Sequence, residues 1–451
     1  MRLLYILHQF LPRHVTGTEQ YVRSLALGMR ERGHDARVFA FEPLIQHAAL
    51  GQLWLERDEE VNGIPVRRVS IHPEASPNQE LADYGNELVV RLLRRYLDDN
   101  DIDLVHVFHP RHLGTGSILE PKHLHVPVVV NLMDFWFVCP KFTLLHRDGS
   151  LCEGPPEDGV GCIPCVDPQL WSDLQSYGIS DQLRPLGRDA PLPAGMTATP
   201  VRRARALVGR KQRLLKVLAQ ADAVVAPSRF LRGFFEGQGF APGVIRHLPY
   251  GVDPARFHGA TMAPRPAQER LEVGYVGSLT PHKGLHLLIP ALRAIDGERW
   301  HLHVHGNPDT HQAYARQLHE LAGDDPRITF HGDFPPTELG TVLSGLDLIV
   351  VPSVWYENTP FTVLEAQMMN LPVLASDLGG ISEIVLDGQN GLLFETGSVE
   401  MLSKILRKVL ERRDLLDALR KKPPTVRTLA QNLDDFEGLY GELVLSGTRR
   451  G

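Results

Sequence analysis

Met1-Arg-Leu-Leu-Tyr-Ile-Leu-His8 begins the chain with one short apolar run, Leu3 to Leu7, and the residues that follow set the architecture. A Gly-containing loop leads into a segment whose apolar Val22, Leu25, Ala26 and Met29 recur at helical spacing. Thr16 and Glu19 fit a capping box at its start, Gly33 fits its stop, and Ala36-Arg-Val-Phe-Ala40 supplies the next strand. Strand, helix and strand in this order make a βαβ unit. Buried-strand runs at Leu104 to Phe108, Val126 to Asn131 and Ala223 to Ala226 extend it into an α/β domain with a parallel sheet. The opening run is short and lacks a small-residue cleavage site, so it reads as a strand and not as a secretion signal.

The same alternation starts again at Leu271-Glu-Val-Gly-Tyr-Val276 and continues through Trp300 to Val304, Ile328 to His331, Leu346 to Val351 and Val373 to Ser376. A chain of 451 residues exceeds what one hydrophobic core normally organises, so two domains are expected. The Pro-containing, apolar-poor stretch Gly259 to Gln268 places the boundary near residues 253–270. The expected layout is a first domain over 1–255, a second over 270–425, and a terminal segment 426–451 that packs back on the first. Residues 139–200, rich in Gly and Pro and with little periodicity, interrupt the first domain as an insertion too long for a plain loop.

Apolar residues make up 43% and charged residues 22%, a globular composition. The net charge of -7 offers no global attraction to nucleic acid, which is therefore not an expected partner. No stretch approaches the roughly 20 apolar residues of a membrane span, and the expected location is the cytoplasm.

Val350-Val-Pro-Ser-Val-Trp-Tyr-Glu-Asn-Thr-Pro-Phe-Thr-Val-Leu-Glu-Ala366 carries the most chemistry: a buried strand ends in a polar loop, and Pro360 suits the first position of a helix. Free amides at that corner favour a diphosphate, while Glu357 and Glu365 offer acceptors for sugar hydroxyls. A hydrolytic carboxylate pair is disfavoured, because eight helical residues span about 12 Å, beyond the ~5 to 9.5 Å that glycoside hydrolysis uses. Gly274-Tyr-Val-Gly-Ser-Leu-Thr-Pro-His-Lys-Gly284 follows the first strand of the second domain, with Lys283 as a compact positive charge beside glycines that allow close approach, and it reads as a diphosphate site. Lys283 has no following Ser or Thr, so this is not a Walker loop. Taken singly, each of these segments is also an ordinary cap or loop; their combination is what points to a site.

Glu357 and Glu365, separated by seven residues that include Asn358 and Pro360, resemble the signature of retaining glycosyltransferase family 4, the glycosyl transferases of group 1. Asp377-Leu-Gly-Gly-Ile-Ser-Glu-Ile-Val385 and Asp387-Gly-Gln-Asn-Gly391 extend the resemblance to about residues 3–410. The resemblance implies a GT-B fold, two Rossmann-like domains facing across a cleft, and a nucleoside diphosphate sugar as co-substrate with a glycan, lipid-linked or small-molecule hydroxyl as acceptor. It implies a front-face reaction with retained configuration, no catalytic metal and no assigned protein nucleophile. The catalytic residues carried over are His109, Glu357 and Lys283. His109 and Glu357 meet the donor sugar, and Lys283 clamps the pyrophosphate with Gly277 and Ser278. Glu365 binds the ribose, Asn358, Thr359, Pro360 and Phe361 line the donor, and Gly306 and Gly332 lie near phosphate and base. Gly17, Thr18 and Asp134 are assigned to the acceptor side, with Met133 standing where a related subfamily has His in Asn131-Leu-Met-Asp-Phe-Trp136. Rival readings are a nucleotide-sugar epimerase of the same fold and a catalytically silent sugar-nucleotide-binding protein. Asp101-Ile-Asp103 formally matches a metal-binding pattern but leads into a buried strand, and it is read as solvated loop.

All four cysteines, Cys139, Cys152, Cys162 and Cys165, fall within the insertion. With Cys162-Ile-Pro-Cys165 as one pair they could supply four thiolates to a structural zinc, against the alternative of free buried thiols; a cytosolic setting disfavours disulfides. Arg202, Arg203, Arg205, Arg210, Lys211, Arg213 and Lys216, interleaved with Leu207, Leu214, Leu215 and Leu218, read as one basic amphipathic helix, either lying on anionic lipid at the inner membrane face or packing its apolar side on the sheet.

Overall fold

Leu3 to Leu7 are completely shielded from solvent, as a run without polar relief demands, and form the central strand β1 (Arg2–Leu7). The protein, seen in a computed structural model that describes residues 1–43, 54–72, 84–156, 158–178, 180, 183, 198–260, 270–422 and 424–447, divides into two units. The first unit adds β2 (Asp35–Pro43), β3 (Trp54–Val61), β4 (Ile64–Ile71), β5 (Leu104–His109), β6 (Val128–Asn131), β7 (Ala223–Ala226) and β8 (Ile245–His247). Their order is β3-β4-β2-β1-β5-β6-β7-β8, and β3 alone runs antiparallel to its neighbour. The β3–β4 hairpin was not expected from the sequence. It turns on Asn62-Gly63, both at positive φ (53° and 79°), the backbone that a two-residue hairpin requires.

The helix Gly17–Glu31 buries Tyr21, Val22, Leu25, Ala26 and Met29 against this sheet. The capping box is not formed: the Thr16 hydroxyl donates to the Glu19 carboxylate and caps no backbone N–H. Glu19 is itself buried and accepts from the Gln9 amide at 2.9 Å, so it braces the loop after β1. From Leu433 onward the C-terminal helix belongs to this unit. Leu433 fills the space beside Gly28, Arg32 pairs with Asp434 and Glu437 at 2.7 Å each, and Tyr440 meets His106 Nδ1 at 2.7 Å.

The insertion holds more order than its sequence suggests. The helices Cys162–Val166 and Pro168–Ser176 place Ile163, Leu170 and Leu174 against Ala204, Leu207 and Val208 in a small core of their own. The single basic helix expected over 202–218 is corrected to two, Ala198–Leu207 and Arg210–Leu218, broken at Gly209 (φ 64°). Three of its cations have partners or burial inside the unit: Arg213 donates to the carbonyls of Arg205, Ala206 and Val208, Arg210 is buried, and Arg203 pairs with Asp167, while Arg202 and Lys216 are exposed. Among the described residues no helix is long and apolar enough to cross a membrane.

The second unit holds six parallel strands, β9 (Leu271–Val276), β10 (Trp300–His305), β11 (Ile328–Gly332), β12 (Leu348–Val351), β13 (Val373–Ser376) and β14 (Leu392–Phe394), in the order β11-β10-β9-β12-β13-β14. Alternate residues Leu271, Val273 and Tyr275 of β9 and Trp300, Leu302 and Val304 of β10 face one core with the helices Leu285–Arg293 and Val399–Glu411. This unit takes in Ser228–Phe230 and then runs from Pro249, ahead of the 253–270 stretch, because Val252 exchanges backbone hydrogen bonds with Arg427 and Leu429 (3.0 and 2.9 Å).

Each sheet reverses its strand order once beside its first strand, between β1 and β5 in one unit and between β9 and β12 in the other. Ligands of open parallel sheets bind beyond the carboxyl ends of the strands at such points, which directs attention to His8 and His109 in the first unit and to the loops after Val276 and Val351 in the second.

Candidate functional site

In the second unit, the loop after β9 ends in the turn Pro281–Lys283 and the loop after β12 runs from Pro352 to the helix Phe361–Met368. They touch through backbone. A Cβ on Gly284 would stand 1.8 Å from the Pro352 carbonyl oxygen, and φ there is 75°, so only glycine fits. That contact sets Lys283 Nζ 2.7 Å from Glu357 Oε1, which also accepts from Ser353 Oγ at 2.6 Å. The ammonium lies 5.2 Å from the centre of the Trp355 ring. Glu357 is 4% exposed. Burial works to raise its pKa, but the Lys283 charge and the hydrogen bonds from Lys283 and Ser353 outweigh it and hold the carboxyl below its ordinary value.

Asn358 Oδ1 accepts from Ser228 Oγ at 2.7 Å, Phe361 stacks on Tyr250 at 4.8 Å, and the buried Thr359 hydroxyl has no partner among the described residues. Pro360 is the N-cap, with extended backbone, so the helix starts one residue later than expected, at Phe361. Glu365, on the first turns of that helix, is buried and accepts a hydrogen bond from the Arg256 guanidinium. Burial raises its pKa, and Arg256 offsets part of the rise. Gly277, Gly306 and Gly332 lie side by side at the strand ends: Gly277 N–H donates to His305 O and Gly306 N–H to Gly332 O, both at 3.0 Å, and Tyr275 OH donates to Ser278 O at 2.8 Å.

The conformation of the Glu357 loop depends on Gly380, whose N–H donates to Glu357 O at 2.7 Å and whose Cβ, if present, would stand 1.5 Å from Asn358 O. Gly380→Ala is therefore expected to displace residues 357–358 and destabilise the second unit by about 1–3 kcal/mol. Thermal unfolding of the variant checks this; an unchanged midpoint would show that the loop yields freely.

In the first unit the structure brings together His109 and Asp134, Nε2 to Oδ2 at 2.9 Å, with Asp134 Oδ1 accepting from Trp136 N–H at 2.8 Å. His109 Nδ1 accepts from the Arg111 N–H at 3.2 Å, and the residue is 4% exposed. Both ring nitrogens of His109 are thus engaged inside the protein. Gly17, exposed, and Thr18, half-buried, open their helix. Asp101 and Asp103 are held by Arg2, at 3.0 and 3.4 Å, which explains the Asp-x-Asp pattern as a structural brace. His106, the inner-face histidine of β5, is fully buried beside Tyr440.

The four cysteines are free. Cys152 N–H donates to Leu144 O at 2.8 Å, and Cys165 Sγ lies 3.9 Å from Leu145 O, so both approach the turn that leaves Cys139. Burial, then the neighbouring Cys139, Cys152 and Cys165, pushes the Cys162 thiol up to about 12. Among the described residues no three His, Cys, Asp or Glu side chains are gathered in a ready metal-holding arrangement. Arg210 lies over the adjacent Tyr84 and Trp136 rings, 4.9 and 5.2 Å from their centres, and its Nε and Nη1 are buried without a partner among the described residues.

Sequence reasoning missed Arg256, Ser228 and Ser353, whose only signal is spatial, and passed over His8, which the sequence places directly after β1.

Residues 263–424 match the family described as glycosyl transferases group 1, and residues 16–158 match a glycosyl transferase 4-like domain. The chain is 31% identical over 261 residues to a D-inositol 3-phosphate glycosyltransferase of Stackebrandtia nassauensis, covering 53% of this chain and 57% of the relative. It is 32% identical over 179 residues to a glycogen synthase of Mycobacterium tuberculosis, 38% and 42% of the two lengths. The chain thus spans about half the length of these relatives. The fold is similar to that of HepE from Anabaena in complex with UDP and glucose (TM-score 0.64, 17% identity, 98% of this chain and 100% of the other). It is equally similar to that of sucrose-phosphate synthase from Thermosynechococcus elongatus (0.64, 17%, 99% of each).

Proposed function

We propose, for a chain that belongs to the glycosyltransferases of the GT-B fold, that it transfers a sugar from a nucleoside diphosphate sugar to a hydroxyl acceptor, with retained configuration and no metal in the catalytic step. The observation that carries this reading is the Lys283–Glu357 pair at the β9/β12 switch point, with Glu365 nearby in sequence on the following helix. An ammonium has three donors; Glu357 takes one and leaves two for phosphate oxygens. Charge develops on the leaving diphosphate as the glycosidic bond breaks, and a cation already held in place stabilises it without reorganisation. Glu365, oriented by Arg256, serves the ribose. Glu357 holds Lys283 and offers its remaining oxygen to the donor sugar, while His109, spent on Asp134 and Arg111, acts as a positioning group.

The complex of a similar fold with UDP and glucose makes UDP-glucose the first donor to try, and the relatives named for D-inositol 3-phosphate make that polyol the first acceptor. UDP-, GDP- and ADP-sugars are to be tested with and without it, and with glycan and lipid-linked acceptors. Release of nucleoside diphosphate with acceptor-linked product of unchanged anomeric configuration supports the reading. Tight binding without turnover would make the protein a silent binder, and altered free sugar nucleotide would make it an epimerase.

We also propose a structural zinc at Cys139, Cys152, Cys162 and Cys165. A tetrathiolate centre carries negative charge, and the buried guanidinium of Arg210 with two unpartnered nitrogens would compensate it. The thiols must draw together to bind. Metal analysis should find about one zinc per chain, with uptake falling as pH drops because the Cys162 thiol must lose its proton. Metal-free protein with an ordered insertion would end the idea. Unpaired thiols accord with the cytoplasm as the proposed compartment.

A further inference from the structure

We propose that His8 is the imidazole of the first unit that binds a sugar hydroxyl, a role the sequence pattern assigns to His109; the inference rests on the glycosyltransferase reading above. Hydrogen-bonding capacity carries the argument. A neutral imidazole has one donor and one acceptor, and His109 has used both, Nε2–H toward Asp134 and Nδ1 from the Arg111 N–H. Nothing is left for a ligand unless that network breaks. His8 lies against it, ring centres 4.2 Å apart, at the carboxyl end of β1, where Leu7 pairs with His109 across the switch point of the sheet.

No hydrogen bond holds the His8 ring among the described residues, and its Nδ1 is buried without a partner. The residue as a whole is only partly buried, and of its two ring nitrogens Nδ1 alone is both buried and unpartnered. Burial, with His109, His112, Arg111 and His14 around it, keeps this ring neutral, and the Asp134 carboxylate is bonded to His109. A neutral ring in that position donates through an N–H to a hydroxyl oxygen or accepts a hydroxyl proton at a bare nitrogen. An unpaired buried polar atom costs stability, and such groups recur where binding needs them.

The test uses the full chain, UDP-, GDP- and ADP-glucose as donors, and D-inositol 3-phosphate as acceptor. His8→Phe keeps an aromatic ring against His109 and removes both nitrogens; His8→Gln returns an amide. The expected result for His8→Phe is a melting temperature equal to or above that of the wild type, nucleoside diphosphate affinity within twofold, and turnover lowered tenfold or more, with His8→Gln recovering part of the loss. Lowered hydrolysis of the sugar nucleotide in water assigns the hydroxyl to the transferred sugar; normal hydrolysis with lost transfer assigns it to the acceptor. Hydrolysis and transfer both within twofold of the wild type in His8→Phe would overturn the role of His8 alone. A wild type that binds and consumes no sugar nucleotide would overturn the glycosyltransferase reading and this inference with it.

Discussion

Lys283→Ala is expected to weaken nucleoside diphosphate binding and slow transfer together, with a loss of about 2–4 kcal/mol in transition-state stabilisation, while nucleoside monophosphate affinity changes little. On the proposed donor site the ammonium serves the diphosphate, so its loss should leave the ribose contacts intact. The variant carries a second, separable effect. Glu357 is buried and loses the Lys283 counter-charge, while the Ser353 hydrogen bond remains. In the wild type the folded-state pKa of Glu357 lies below the ordinary 4.5, so the pair contributes stability above that value and loses it as pH falls through the lower folded value. Without Lys283 the burial effect dominates and favours the protonated acid. The deficit in melting temperature should therefore be largest near neutral pH and shrink toward pH 4. Calorimetry with mono- and diphosphates on folded variant, and melting curves across that range, read the two effects apart. Unchanged diphosphate affinity would remove Lys283 from the site.

Glu365→Ala is expected to weaken mono- and diphosphates equally, by about 3 kcal/mol, counting two ribose hydroxyls at roughly 1.5 kcal/mol for each charge-assisted bond. One carboxylate oxygen is held by Arg256, which fixes the group against its helix and directs the other. The pH dependence follows from the direction of its shift. Burial raises the pKa of Glu365 above 4.5, and hydroxyl recognition needs the ionised form, so monophosphate affinity in the wild type should fall with acidification sooner than an ordinary glutamate would allow. Titration calorimetry between pH 7 and pH 5 measures this. Equal affinity in wild type and variant would place the nucleoside elsewhere and remove the main support for the donor site.

The corner between β12 and the helix Phe361–Met368 was legible because each part is local: an apolar strand, a polar loop with Pro360, and a helix. Its boundary was misread by one residue, since Pro360 suits either the N-cap or the first turn. The insertion was less legible. Ile163, Leu170 and Leu174 bury against Ala204, Leu207 and Val208, so its apolar pattern is completed by residues outside any single window. The basic stretch shows the same limit, for a run of Arg and Lys says nothing about which carbonyls or carboxylates lie within reach. Arg213 turned out to cap a preceding helix, and Arg210 to lie over two adjacent aromatic rings.

By itself the amino-acid order determined two series of alternating strands and helices, the loops that follow β9 and β12, and the presence there of Lys283, Glu357 and Glu365. Periodicity, turn chemistry and residue type act over a few neighbours and survive in one dimension. The tertiary structure decided which of these groups are bonded and which are open. Lys283 meets Glu357 across 74 positions and Arg256 meets Glu365 across 109, while the parallel pairing of β1 with β5 sets His8 against His109 and shows which imidazole still has nitrogens to offer. Hydrogen-bond capacity and burial are spent on whatever the fold brings near, and only the folded chain specifies that neighbourhood.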